Sequence, residues 1–269
     1  MRKVALYLLV AAIIQVCCSL FIGAIWGQVT GNHEMSGEKL ITISAISSII
    51  TIILFIAAKW TPMKRTLEGK KLQKSAYWSV VLAVSIIIPS MLLEALIPEA
   101  WKKDFLEDVF KMILQSPWGY LQIGILAPLA EEMVFRGAIQ RAAANYFEEK
   151  GVKHFQWRAI LLSAVLFAGI HGNPAQIPHA LLMGVLLGWM YSRSGSIIPC
   201  VIVHWVNNSI GFAQYFLFPE SYEMTAIEMF SSIPIWEVGV YVILSIYFFY
   251  RAITSLNIIW KKEEANNLP

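Results

Sequence analysis

The sequence predicts an all-α fold, a polytopic bundle of about eight transmembrane helices. Three observations carry that prediction. Of 269 residues, 57% are apolar and only 14% are charged, against about 25% charged in soluble domains. Mean hydropathy is +0.60. The apolar residues also gather into runs of roughly 20, the length a helix needs to cross a hydrocarbon core. This composition excludes a disordered chain, a coiled coil and an ordinary soluble enzyme. The net charge of +3 is too small to argue for nucleic acid, and no such partner is expected.

The first run, 4–26, follows Arg2 and Lys3. It outlasts the apolar core of a signal peptide, about 7–15 residues, so it reads as an uncleaved span. Further runs at 40–58, 76–97, 119–140, 157–171, 177–192, 196–218 and 235–257 complete eight. The fifth and sixth are short and share a tight connection, 172–176. Loop charge supports an even count. Basic residues concentrate in 59–75 (Lys59, Lys64, Arg65, Lys70, Lys71, Lys74), in 141–158 (Arg141, Lys150, Lys153, Arg158), at Arg193 and at Lys261 and Lys262. The intervening connections are poor in them or offset them with acidic residues. By the positive-inside rule both termini are cytoplasmic. In 99–115, Trp101, Phe105, Val109 and Met112 or Ile113 recur at helical spacing, opposite Lys102, Lys103, Glu107, Asp108 and Lys111. That pattern is an amphipathic helix, either lying on the outer membrane surface or packed on the protein. The whole chain, 1–269, reads as a single membrane domain. Cys17, Cys18 and Cys200 lie in apolar runs without metal-ligand spacing and read as small hydrophobes.

Ionisable side chains inside a span are costly and by default mark function. The fourth run, GYLQIGILAPLAEEMVFRGAIQRAAANYF, carries Glu131, Glu132 and Arg136. Glu132 and Arg136 are four apart, share a helix face and are placed to pair. Glu131 points about 100° away from Glu132, which makes it the candidate general base. Pro128 frees a backbone carbonyl and is a candidate kink. The fifth run ends LFAGIHG, with Phe167 and His171 four apart. The seventh reads IVHWVNNSIG, with His204 and Asn208 four apart on one face. His33 and His154 fall in loops, and His179 opens the sixth run; each reads as a loop or helix-end residue. Asn207 points off the face of Asn208, and Asn173 is a candidate for a site mouth. Gly184 and Gly188 form a GxxxG pattern that reads as a close helix contact.

EEMVFRG (131–137), FAGIH (167–171) and HWVNN (204–208) resemble the EExxxR, FxxxH and HxxxN motifs of the CAAX-protease and bacteriocin-processing family, also called the type II CAAX prenyl endopeptidase or ABI family. The likeness covers about 117–215, which reads as the catalytic core; the first three runs share only hydropathy with that family. The resemblance implies a glutamate-dependent intramembrane endopeptidase. Glu131 with His171 would activate water, His204 and Asn208 would form an oxyanion hole, and Glu132 with Arg136 would orient the site. Hydrolysis needs such a base and such donors. Neither a GxSxG nor a HExxH motif is present in the sequence. Two readings of water activation stay open. One uses no cofactor; in the other Glu131, His171 and His204 hold a catalytic zinc as a His2Glu set.

The implied partners are membrane lipid and a hydrophobic or lipid-anchored peptide or protein, and the implied location is the cell membrane, expected to be a bacterial plasma membrane. A farnesylated protein is not the expected native substrate there. Two other functions compete with this one. A non-catalytic immunity or scaffold protein would not need to keep every polar motif residue. A proton-coupled carrier commonly shows a two-fold repeat with broken helices in both halves, whereas here the first half holds only Glu94 within a span.

Overall fold

In the computed structural model, every regular element among the described residues is a helix. Described are residues 1–269 apart from 32, 33, 35, 63–66, 99–106, 175, 223 and 267–269; His33 therefore lies outside them. The helices are α1 (Arg2–Thr30), α2 (Gly37–Ala57), α3 (Gly69–Ser85), α4 (Ile87–Ala95), α5 (Glu107–Leu114), a composite helix over 121–149, α8 (Phe155–Gly169), α9 (Ile177–Ser194), α10 (Ile198–Leu217), α11 (Pro219–Tyr222), α12 (Ala226–Ser231) and α13 (Ile235–Asn266). Each of the eight apolar runs is thus helical. Four stretches are long and apolar enough to cross a bilayer: Arg2–Thr30, Gly37–Ala57, Gly69–Ala95 and Ile235–Lys261. Phe155–Gly169 is apolar but shorter. With several such helices the chain is a multi-pass membrane protein. Its surface agrees: Leu20 and Phe21 of α1 are 70% and 71% exposed, which water would disfavour and lipid tails accept.

The chain divides into two compact units, residues 1–64 with 105–163, and residues 65–104 with 164–269. In the first unit, Tyr7 of α1 and Phe55 of α2 close on Trp60, at ring separations of 4.9 and 5.2 Å. The α5 helix packs on the start of α2, where Gly37 lies so close to the Met112 carbonyl that a Cβ would collide. Leu114 is buried there. Of the two readings of the amphipathic segment, its described part is the one packed on protein. Trp101, Lys102, Lys103 and Phe105 lie outside the described residues.

The second unit is built on a core of Leu82, Ile86, Met183, Leu187, Met190, Val203, Leu256 and Trp260 from α3, α9, α10 and α13. Cys200 is buried within it, as a small hydrophobe would be. In the first turn of α4, Pro89 has no N–H to give the carbonyl four residues earlier, that of Ser85 at the end of α3. Ser245 of α13 supplies the missing donor, its Oγ donating to Ser85 O at 2.6 Å. Gly184 of α9 packs against Ala164, leaving its would-be Cβ 2.8 Å from the Ala164 Cα; this is the close helix contact expected of the GxxxG pattern. The turn into α10 is short because Gly195 takes a left-handed conformation, φ 64°, which glycine tolerates best. Just before α10, Ser196 Oγ accepts from the Ile198 N–H at 3.2 Å.

Candidate active site

The helix bearing both glutamates is not a uniform α-helix. It runs as a π-helical segment (π1, Leu121–Leu126), α6 (Ala127–Glu132), a second π-helical segment (π2, Met133–Gln140) and α7 (Arg141–Glu149). At the end of π1 the Ala127 N–H donates to Gln122 O, five residues back. The wider register thus falls directly before Pro128, where a donor is missing. Two side chains from elsewhere in the first unit hydrogen-bond carbonyls of π2. Thr61 Oγ1 donates to Met133 O at 2.6 Å, and Ser163 Oγ donates to Phe135 O at 2.9 Å. Arg141 adds a clamp: Nε donates to Gly137 O at 3.1 Å and Nη2 to Trp60 O at 2.8 Å. Gly137 admits Thr61 so closely that a Cβ there would clash with the threonine side chain.

These ties fix Glu131, Glu132 and Arg136 in the first unit. Arg136 Nη1 donates to Glu132 Oε1 at 2.9 Å, and both side chains are fully buried. The pairing expected from the four-residue spacing is present even though it crosses from α6 into π2. Gln140 is also buried, one turn beyond Arg136. Glu131 differs: it is half-buried. The first unit thus offers one carboxylate locked in an ion pair beside one with partial access to the surface.

The second unit brings together His171, His204 and their neighbours. Phe167 of α8 is 2% exposed and is set edge-on to both rings, with centroids 5.0 Å from His171 and 5.8 Å from His204. That double contact gives the aromatic of FxxxH a physical role, since one ring locks two imidazoles. His171 Nδ1 lies 2.8 Å from Phe167 O. A carbonyl only accepts, so Nδ1 carries the hydrogen and Nε2 is the basic nitrogen of the neutral ring. His204 is buried at 7% exposure. Asn208 Oδ1 accepts from Asn207 Nδ2 at 3.3 Å, so Asn207 reaches the amide that it seemed to point away from. Asn173 is buried rather than lining an open mouth.

His179 is where sequence reasoning fell short. It does stand in the first turn of α9, but it also joins this cluster. Its Nδ1 lies 3.0 Å from Ser90 Oγ, and the side chains of Asn207, His204 and His171 lie near it. A signal was present: His171 closes one apolar run and His179 opens the next, a few residues further along the chain. His154 is a loop residue at positive φ before α8. Among the described residues no three His, Cys, Asp or Glu side chains gather as metal ligands.

Comparison with known proteins bears out the resemblance carried by the three motifs. Residues 113–210 match the model of the family described as type II CAAX prenyl endopeptidase, Rce1-like. The UPF0177 protein YxdF of Lactococcus lactis subsp. lactis (strain IL1403) is 28% identical over 170 residues, covering 61% of this chain and 89% of that protein. No solved structure matches.

Proposed function

We propose, from the premise that residues 113–210 match the type II CAAX prenyl endopeptidase family, that this chain is an intramembrane endopeptidase acting on hydrophobic or lipid-anchored peptides. The observation that carries the reading is that the matched stretch holds all six polar motif residues, Glu131, Glu132, Arg136, His171, His204 and Asn208. Glu131 is the base that takes the proton of the attacking water and passes it to the leaving amine, and His171 orients that water. The Nδ1–H of His171, held by Phe167 O, leaves Nε2 to accept a hydrogen bond from that water. His204 and Asn208 donate to the oxyanion of the tetrahedral intermediate. Glu132 and Arg136 touch no reacting atom; their buried pair fixes the orientation of the helix that presents Glu131. The protein sits in a bacterial plasma membrane with both termini cytoplasmic, bounded by lipid, and its substrate enters from the bilayer.

The test is cleavage of an internally quenched hydrophobic peptide, with and without a farnesylated C-terminal cysteine motif, by purified protein in micelles. Glu131→Gln and His171→Ala are expected to be silent while staying folded. Asn208→Ala is expected to lose about 10²–10³ in rate, the usual cost of one oxyanion donor. Near-parental activity in Glu131→Gln would overturn the assignment of the base.

A further inference from the structure

Ser90, His179, Asn207 and Asn208 form a run of polar side chains inside the second unit. Ser90 follows Pro89 on α4, and its Oγ is 3.0 Å from His179 Nδ1. The Asn207 side chain lies beside the His179 ring, and Asn207 Nδ2 donates to Asn208 Oδ1 at 3.3 Å. With Nδ1 engaged by Ser90, Nε2 is the ring nitrogen left for Asn207. With Nδ2 of Asn207 engaged by Asn208, its Oδ1 is the atom left to face the imidazole. An amide oxygen only accepts, so Nε2 carries the hydrogen and Nδ1 accepts from the Ser90 hydroxyl. Every bond then runs in one direction: Ser90 O–H to His179 Nδ1, His179 Nε2–H to Asn207 Oδ1, Asn207 Nδ2–H to Asn208 Oδ1. Bonds aligned in this way polarise one another.

We propose that His179 is a positioning residue for Asn208, acting through Asn207. The consequence is geometric. An asparagine amide rotated by half a turn exchanges oxygen for nitrogen with almost no change of shape. In the wrong orientation Asn208 would present an acceptor to an oxyanion and repel it. The run from Ser90 holds the Asn208 oxygen toward Asn207, so that its Nδ2 is the group turned the other way. This inference rests on the reading of Asn208 as an oxyanion donor, and it explains why a half-buried histidine stands in the first turn of α9.

The test uses the full chain in micelles with histidine and asparagine side chains labelled with 15N. The parent should show His179 with Nε2 protonated and Nδ1 bare. His179→Phe and Asn207→Leu should both shift the Asn208 side-chain amide, while that of Asn257 on α13 stays in place. His179→Gln should restore the parental Asn208 resonance, because a carboxamide oxygen can accept from Ser90 while its NH2 donates to Asn207; a purely space-filling role would not discriminate glutamine from phenylalanine in this way. In the cleavage assay, His179→Phe should lower kcat about tenfold, the scale of one hydrogen bond, with KM unchanged. His179→Phe combined with Asn208→Ala should be no slower than Asn208→Ala alone, since both act at one donor. An unmoved Asn208 resonance in His179→Phe, or losses that multiply in the double variant, would overturn the proposal. A parent chain that cleaves neither peptide would count against the endopeptidase reading, while the amide resonances would still decide the role of His179.

Discussion

Replacing Arg136 by methionine probes the buried ion pair most directly. Its guanidinium meets Glu132 at 2.9 Å with both side chains fully buried. At an effective dielectric constant of roughly 20, two charges at that distance attract by about 6 kcal/mol. Removing each ion from water costs several kcal/mol, so the intact pair contributes little net stability. Losing one partner is different. The Glu132 carboxylate would stay dehydrated with no cation, a penalty of about 3–5 kcal/mol. Methionine keeps most of the stem's packing, so the loss reports the charge. The assay is unfolding in mixed micelles against increasing denaturing detergent, read by tryptophan fluorescence. Arg136→Met should unfold at markedly lower detergent. Glu132→Met combined with Arg136→Met should recover most of the stability, because no charge is left stranded. A single variant as stable as the parent, or a double variant as unstable as the single, would refute the reasoning.

Thr61→Val removes the donor to Met133 O and leaves a buried carbonyl without that bond, so stability should fall by about 1–3 kcal/mol in the same unfolding assay. Gly137→Ala forces a Cβ onto Thr61 and should be destabilising by a similar amount; a neutral result would place the threonine elsewhere. For topology, Cys17, Cys18 and Cys200 are first replaced by alanine, and a cysteine is introduced at Lys70 or at Ser231. An impermeant reagent applied to intact cells should label 231 and not 70; labelling at 70 would reverse the orientation. Stripping metals should leave cleavage unchanged. One zinc per chain by elemental analysis, with activity lost on chelation and restored by zinc, would put Glu131, His171 and His204 in the role of ligands instead.

The parts of the molecule legible in the sequence were those set by local spacing. Apolar runs gave the helices, because burying a helical backbone in lipid demands consecutive apolar residues. A four-residue interval gave the Glu132–Arg136 pair, and the same interval linked Phe167 to His171. The illegible parts depend on residues far away along the chain. No periodicity within 133–140 announces a π-helical register, and its carbonyls bond Thr61 and Ser163, 72 and 28 residues away. His179 looked like a helix-end residue because its partner Ser90 lies 89 residues earlier. The amphipathic helix was visible in 107–114, but its pattern alone could not choose between lipid and α2 as the surface beneath it.

The hydroxyl and guanidinium ties described above share an asymmetry with a consequence for sequence drift. Thr61, Ser163, Arg141 and Ser245 all donate to main-chain oxygens, those of Met133, Phe135, Gly137 with Trp60, and Ser85. A main-chain oxygen is the same atom whatever side chain stands beside it. For these bonds, then, the donors are constrained in chemistry and the acceptors only in shape. Among diverged copies of this chain, positions 61, 163, 141 and 245 should therefore keep a hydroxyl or guanidinium, while 133, 135 and 85 drift among residues of similar volume. Met133→Leu should leave the tie to Thr61 intact where Thr61→Val breaks it, so a tether between helices can outlast change at one of its two ends.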